Sequence, residues 1–206
     1  MLPVRLFFTK KGMVRYTSHL DLSRAMTRAL VRTGLNIGYT EGYNPHVKLV
    51  FAQPLSIFQE SDYEVADFRI DDDEIGFDEV AERLRATLPK GIGVIRAAAP
   101  VMKIGDCAFA RYSVGLGIPL ADSEIAEKLS GSMVVNKRTK SGEKETDISD
   151  MIASASVSGG VIDAVVCAAP DRCLNPAYIA EYFGVGPGAA KITRKGLYNA
   201  DMRLFE

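Results

Sequence analysis

VRLFFTKKGMVRYTSHLDLSRAMTRALVRTG, residues 4–34, decides how the first half of the chain is built. Its opening VRLFFT is rich in β-branched and aromatic residues and predicts a strand. Gly12 permits a turn ahead of VRYT. Ser18 then opens a helix, with Asp21 three residues on in a capping-box-like arrangement that offers partners to free backbone N–H groups. Leu22, Ala25, Met26, Ala29 and Leu30 recur at helical spacing as an apolar stripe, and Gly34 supplies the C-cap.

Outward from that unit, residues 47–55 (VKLVFAQPL) and 63–70 (YEVADFRI) predict two strands. The DDDE run at 71–74 reads as a solvated turn, without the spacing of a calcium loop. Residues 77–88 form an amphipathic helix stopped by Pro89 and Gly91, and 92–98 return as a strand. The order β-α-β-β-α-β is the ferredoxin-like arrangement. The second half repeats it: FARYSVGLGI as a strand, SEIAEKL as a helix, MVVNKRTK opening a hairpin around Ser141-Gly142, ETDISDMI after it, GGVIDAVVCAA as a buried strand, PAYIAEYF as a helix with proline in its first turn, and KITRKGLY as the closing strand. The expected fold is therefore α+β, two tandem ferredoxin-like subdomains spanning residues 1–100 and 107–206. Residues 99–106 have linker character.

Composition excludes several classes. Hydrophobic residues make up 47% and charged ones 25%, as in ordinary globular proteins. No apolar run approaches the roughly 20 residues needed to cross a bilayer. MLPVRLFFTKKG is too short in apolar residues for a signal peptide, so no membrane partner and a cytoplasmic location are expected. Three cysteines without a CxxC pair, and only His19 and His46, argue against a local zinc site or a resident iron–sulfur cluster. Neither a metal nor a cofactor is expected in this chain.

Net charge is −1, but it is unevenly spread. Residues 1–60 hold eight Lys/Arg against three acids, a net of +5, and residues 61–90 hold ten acids against four Lys/Arg, a net of −6. Two readings follow: self-complementary surfaces within one fold, or a patch that steers a polyanion. Arg24, Arg28 and Arg32 lie four apart, drift only about 40° per step and share the helix face opposite the apolar stripe. No residue from 23 to 33 is acidic. Arginine at that spacing can fork onto successive phosphates or carboxylates. The loop Gly42-Tyr43-Asn44-Pro45-His46, followed by Lys48, presents an aromatic face, an amide and an imidazole on a backbone restrained by proline. The candidate substrate-binding set is Arg15, His19, Arg24, Arg28, Tyr43, Asn44, His46 and Lys48. A secondary basic patch comprises Lys137, Arg138, Lys140, Arg194 and Lys195, beside a glycine-rich loop at 184–188 that lacks the P-loop pattern.

The S-H-L-D-L stretch at 18–22, G-Y-N-P-H at 42–46 and the E-x-x-D-like element from Glu64 to Asp67 closely resemble the radical-SAM-linked family. That family is a domain of unknown function found alone or fused behind a B12-binding-type radical SAM protein. NKRTKSGEKETDI and NPAYIAEYFG extend the resemblance more loosely into the second half. Val47 stands where a second proline is common, and Phe58 where glycine is expected. The resemblance implies a bacterial protein working beside a radical SAM enzyme whose cluster belongs to the partner. The expected role is a non-catalytic anion- or RNA-binding module that presents substrate. A second, fold-level resemblance is to the tandem ferredoxin-like CRISPR endoribonucleases of the RAMP superfamily, with His19 and the 184–188 loop at the matching positions. It leaves open a metal-independent ribonuclease using His19 or His46. A protein–protein scaffold, its arginine face against an acidic partner, is the third alternative.

Overall fold

A computed structural model describes residues 1–206 apart from 73, 140, 141 and 187, and it does not describe the side chains of 138 and 139. The chain is mixed α+β and divides into two compact units. The first comprises Met1–Cys107 together with Leu204–Glu206, and the second Ala108–Arg203. No helix among the described residues is long and apolar enough to cross a membrane.

In the first unit β1 (Leu2–Lys10) leads through a 3-10 turn at Gly12–Tyr16 to α1 (His19–Arg32). Next come β2 (Val50–Phe51), β3 (Gln59–Ile70), α2 (Phe77–Thr87) and β4 (Ile92–Ala98). The strand order is β4-β1-β3, with β2 on β3, and every pairing is antiparallel. Strand alternation sends Val4, Leu6 and Phe8 of β1 and Ala66, Phe68 and Ile70 of β3 to one face. There they pack with Leu22, Met26 and Leu30 of α1 and Val80, Ala81 and Leu84 of α2. The apolar stripe of α1 is thus the core face, and its arginines look away from it.

The local signals around α1 are in place. Ser18 Oγ accepts the Asp21 amide at 3.1 Å, and the Ser18 hydroxyl donates to the Asp21 carboxylate at 2.7 Å. Gly34 follows the helix at φ 71°, the left-handed geometry of a C-terminal glycine. The expected strand over 47–55 shrinks to two residues. Val47 pairs instead with Tyr39, Lys48 N donates to the Gly38 carbonyl, and Pro54 has no N–H to extend the ladder.

The opposite face of this sheet carries Arg5. Its guanidinium is fully buried and grips both Asp67 oxygens at 2.8 Å. The same group donates to the backbone oxygens of Met102 (2.7 Å) and Glu206 (2.6 Å), and it lies 4.9 Å from the Phe205 ring centroid. Tyr63 Oη donates to the Phe205 carbonyl at 2.8 Å, and burial pushes its phenol pKa up. The chain therefore leaves the first unit after Cys107 and comes back to it at Leu204.

The second unit runs β5 (Phe109–Gly115), α3 (Asp122–Ser130), the hairpin β6 (Val134–Thr139) and β7 (Gly142–Asp147), β8 (Ile152–Ser158), β9 (Val161–Cys167), α4 (Ala177–Tyr182) and β10 (Lys191–Tyr198). Its strands order as β10-β5-β9-β8, again antiparallel, and β6-β7 stand apart as a two-stranded sheet. β8 is absent from the sequence reading. Its IASASVS is solvated on both faces, so no apolar alternation marks it. Pro176 sits at the N-cap of α4, one residue ahead of the first turn.

Two outcomes test this architecture. Arg5→Met leaves Asp67 beside apolar neighbours without its counter-ion, and chemical denaturation should show a loss of about 3–5 kcal/mol. Arg5→Lys, which cannot fork, should recover only part of it. In the second unit Asp147 accepts from Ser132 Oγ, Ser149 Oγ, Ser149 N and Met133 N, which holds its carboxyl below the ordinary 3.8. A folded pKa below the unfolded one stabilises above that ordinary value and loses the effect as pH falls beneath it. The melting-temperature gap between wild type and Asp147→Asn should therefore be wide at about pH 6, narrow progressively below the ordinary value, and close only as pH falls through the depressed folded pKa, well under about pH 3.

Candidate functional site

The site is built from what the α1 segment leaves open. Lys10, completely buried, donates from Nζ to the Thr17 carbonyl at 3.2 Å, fixing the chain one residue ahead of the Ser18 cap. α1 then projects Arg24, Arg28 and Arg32 into solvent. Arg24 has Asp21 at 3.7 Å, and both side chains are more than half exposed, so that pair is weak. Arg28 and Arg32 have no acidic partner within 4 Å among the described residues.

The charge asymmetry resolves into two parts. β1 and its turn are neutralised by the acidic segment: Arg5 pairs with Asp67, and Lys11 lies 2.5 Å from Asp62, which raises the Lys11 pKa. Arg5 and Lys10 are buried, so they add nothing to a surface patch. The α1 face keeps its charge. Asp71, Asp72 and Glu74 are exposed, and Asp72 Oδ1 accepts the Glu74 amide at 3.0 Å, as a solvated turn requires; Asp73 lies outside the described residues.

The Gly42–His46 loop is held from within. Thr40 N donates to the His46 carbonyl at 2.8 Å, and His46 N donates to Thr40 Oγ1 at 3.1 Å. His46 Nδ1 lies 3.1 Å from Thr40 Oγ1 and 3.3 Å from the Asn44 carbonyl. His46 Nδ1 thus sits between a hydroxyl, which can donate or accept, and a carbonyl, which only accepts. Gly42 takes φ 123°, which favours glycine, and Tyr43 is fully exposed beside Asn44.

His19 is placed differently. Its ring packs edge-on against Phe51 with centroids 5.0 Å apart, and Nδ1 is shielded from solvent. Arg15 turns toward its own neighbour, donating to Tyr16 Oη at 2.5 Å with its guanidinium 4.7 Å from that ring. The Tyr16 ring meets Phe58 edge-on at 5.9 Å. Lys48 alternates with the core-facing Val47 and Leu49 and lies on the sheet face away from α1, lining a cavity with Asp67 and Arg69. The sheet therefore separates Lys48 from the α1 arginines.

The secondary basic patch does not hold as one surface. Arg194 is only 1% exposed, and its Nε and Nη2 donate to Tyr112 Oη at 3.0 and 2.8 Å. On β10 it shares the phase of buried Ile192, a signal readable from the alternation of KITR. Lys137 is half-buried, 3.9 Å from Met151 Sδ and 5.9 Å from the Tyr178 ring. Lys195 is exposed. Lys140, the Arg138 side chain and the Ser141 turn lie outside the described residues, as does Pro187 of the glycine-rich loop, where Gly184 and Gly188 take positive φ.

Buried Gln59 escaped the sequence reading, and so did the burial of Glu64, because both look like ordinary surface residues in one dimension. No group of three or more His, Cys, Asp or Glu among the described residues could hold a metal ion. The model of a family described as "Uncharacterized protein conserved in bacteria (DUF2344)" matches residues 4–176. None of the curated proteins matches the chain.

Phe58 stands at φ 71°, a conformation that penalises a bulky side chain and suits glycine, while its amide donates to the Arg15 carbonyl at 2.7 Å. Phe58→Gly removes that strain along with the Tyr16 contact and should change unfolding free energy by less than about 1 kcal/mol. Phe58→Val keeps the strain and loses the ring, and should cost about 2 kcal/mol in the same denaturation assay.

Proposed function

The chain belongs to the DUF2344 family, and on that premise we propose that it is a non-catalytic RNA-binding module that presents its bound strand to a radical SAM partner enzyme in the bacterial cytoplasm. The observation that carries this reading is the α1 face, where Arg28 and Arg32 stand exposed without acidic partners among the described residues. Solvated guanidiniums one turn apart suit successive backbone phosphates. Tyr43, fully exposed on its restrained loop, adds a ring on which a base can stack. The partner is inferred from the SHLDL and GYNPH motifs and their likeness to the radical-SAM-linked family. We read each unit as ferredoxin-like, in keeping with strands ordered fourth, first, third, second when β6-β7 is set aside as an insertion.

A ribonuclease reading draws less support. His19 has its ring against Phe51 and its Nδ1 shielded from solvent, which leaves the exposed His46 as the better-placed proton acceptor. The scaffold reading uses the same α1 face against acidic protein.

Fluorescence anisotropy with labelled single-stranded RNA separates these readings. Affinity should fall steeply between about 50 and 200 mM salt, and Arg24→Met with Arg28→Met should lower the log–log slope by about 1–1.5. The RNA should remain intact in EDTA. Absence of RNA binding at low salt, alongside capture of an acidic protein by the same face, would replace this reading with the scaffold. Cleavage lost in His46→Ala would replace it with the nuclease.

A further inference from the structure

The geometry points to a binding site for a small organic anion with an apolar body, on the face of the first unit's sheet away from α1. The site is the cavity of about 570 Å³ that Lys48 enters, a volume within the range of small-molecule sites. It is distinct from the α1 face and does not depend on RNA binding there.

Charge sets the first half of the specificity. Lys48, Arg69 and Lys103 line the cavity, and none of the three has a side-chain partner among the described residues. The one carboxylate in the lining is Asp67, and Arg5 already forks onto both of its oxygens. Three cationic residues therefore stand around the cavity, beside an acid that is internally neutralised. A carboxylate, sulfonate or phosphate is the group they would accept, with Arg69 able to bind two of its oxygens at once.

The rest of the wall decides what the anion is attached to. Pro3, Val50, Val101, Met102 and Ile104 are among the apolar residues of the lining. Val101 is 77% exposed and Val50 51% exposed, so a ligand with an apolar body that covers them removes apolar surface from water. An inorganic anion would leave these groups wet, and a neutral hydrocarbon would leave three cations unmatched. A nucleobase, whose edges need hydrogen-bond partners, finds few in this wall. The floor is rigid, because Arg5 holds Asp67 and the Met102 backbone together, so little ordering entropy opposes binding.

The test uses the full chain and 8-anilinonaphthalene-1-sulfonate as the fluorescent probe. Wild type should bind one probe saturably, and decanoate should displace it. Decanol and inorganic phosphate at equal concentration should not. Arg69→Met and Lys103→Met, each at an exposed position, should weaken probe binding on the order of tenfold apiece. Val101→Asp, which repels the anion and wets the wall at a residue that folding hardly uses, should nearly abolish binding while thermal melting stays unchanged. The proposal is overturned if saturable one-site binding is absent, or if the variants bind as wild type does. It is equally overturned if decanol, or phosphate alone, competes as well as decanoate.

Discussion

A guanidinium with no access to water organises the first unit. Arg5 cannot lose its proton, so burial demands that its donors be matched within the protein. β3 supplies a carboxylate, residue 102 and residue 206 supply carbonyls, and Phe205 covers the group with its ring. Three stretches far apart in sequence are thereby tied to β1 by one side chain. Apolar packing on the α1 face fills space, but a hydrocarbon contact tolerates sliding that a forked ion pair does not. The register of β1 on β3, with Arg5 opposite Asp67, is the one that satisfies this charge.

That constraint also sorts the cations of the first sixty residues by role. Arg5, Lys10 and Lys11 are engaged by the fold itself, through Asp67, the Thr17 carbonyl and Asp62. Of the α1 arginines, Arg24 has only a weak, exposed pair with Asp21, and Arg28 and Arg32 have no acidic partner among the described residues. Because α1 is fixed by its cap and by Leu22, Met26 and Leu30, the open guanidiniums ride on a rigid rod and not on a loose tail. Lys48, two residues before β2, reaches the other side of the same sheet. One basic sequence segment thus feeds two separate surfaces.

How much of this was legible depends on whether the deciding physics is local. The cap at Ser18, the stripe of α1, Gly34 and Gly42 at positive φ, and the stop of α2 before Pro89 follow from residues within one or two turns of each other. β8 was invisible because its Ala/Ser alternation carries no burial signal, and the hairpin before it took its place in the reading. Arg194 was misjudged, and the burial of Arg5 went unforeseen, for a shared reason. A charged side chain reads as surface until a partner from a distant strand or helix, here Tyr112 or Asp67, makes burial affordable. For the candidate site, the exposed α1 face and the Asn-Pro-His corner were readable, whereas the separation of Lys48 by the sheet required tertiary alternation. Phe58 is an intermediate case: a glycine was expected there, and the backbone does adopt glycine's conformation around a phenylalanine.

The return of residues 204–206 to the first unit has a bearing on biogenesis. During vectorial synthesis β1 to β4 can collapse early, but the carbonyl that answers Arg5 Nη1 lies 201 residues downstream. Until the ribosome has made that segment, the nascent first unit holds a guanidinium lacking one acceptor and a Tyr63 hydroxyl lacking the Phe205 carbonyl. The intervening 96-residue unit must be threaded out before the seal can form. Until then the face of the sheet that bears Arg5 and Tyr63 stays unsealed.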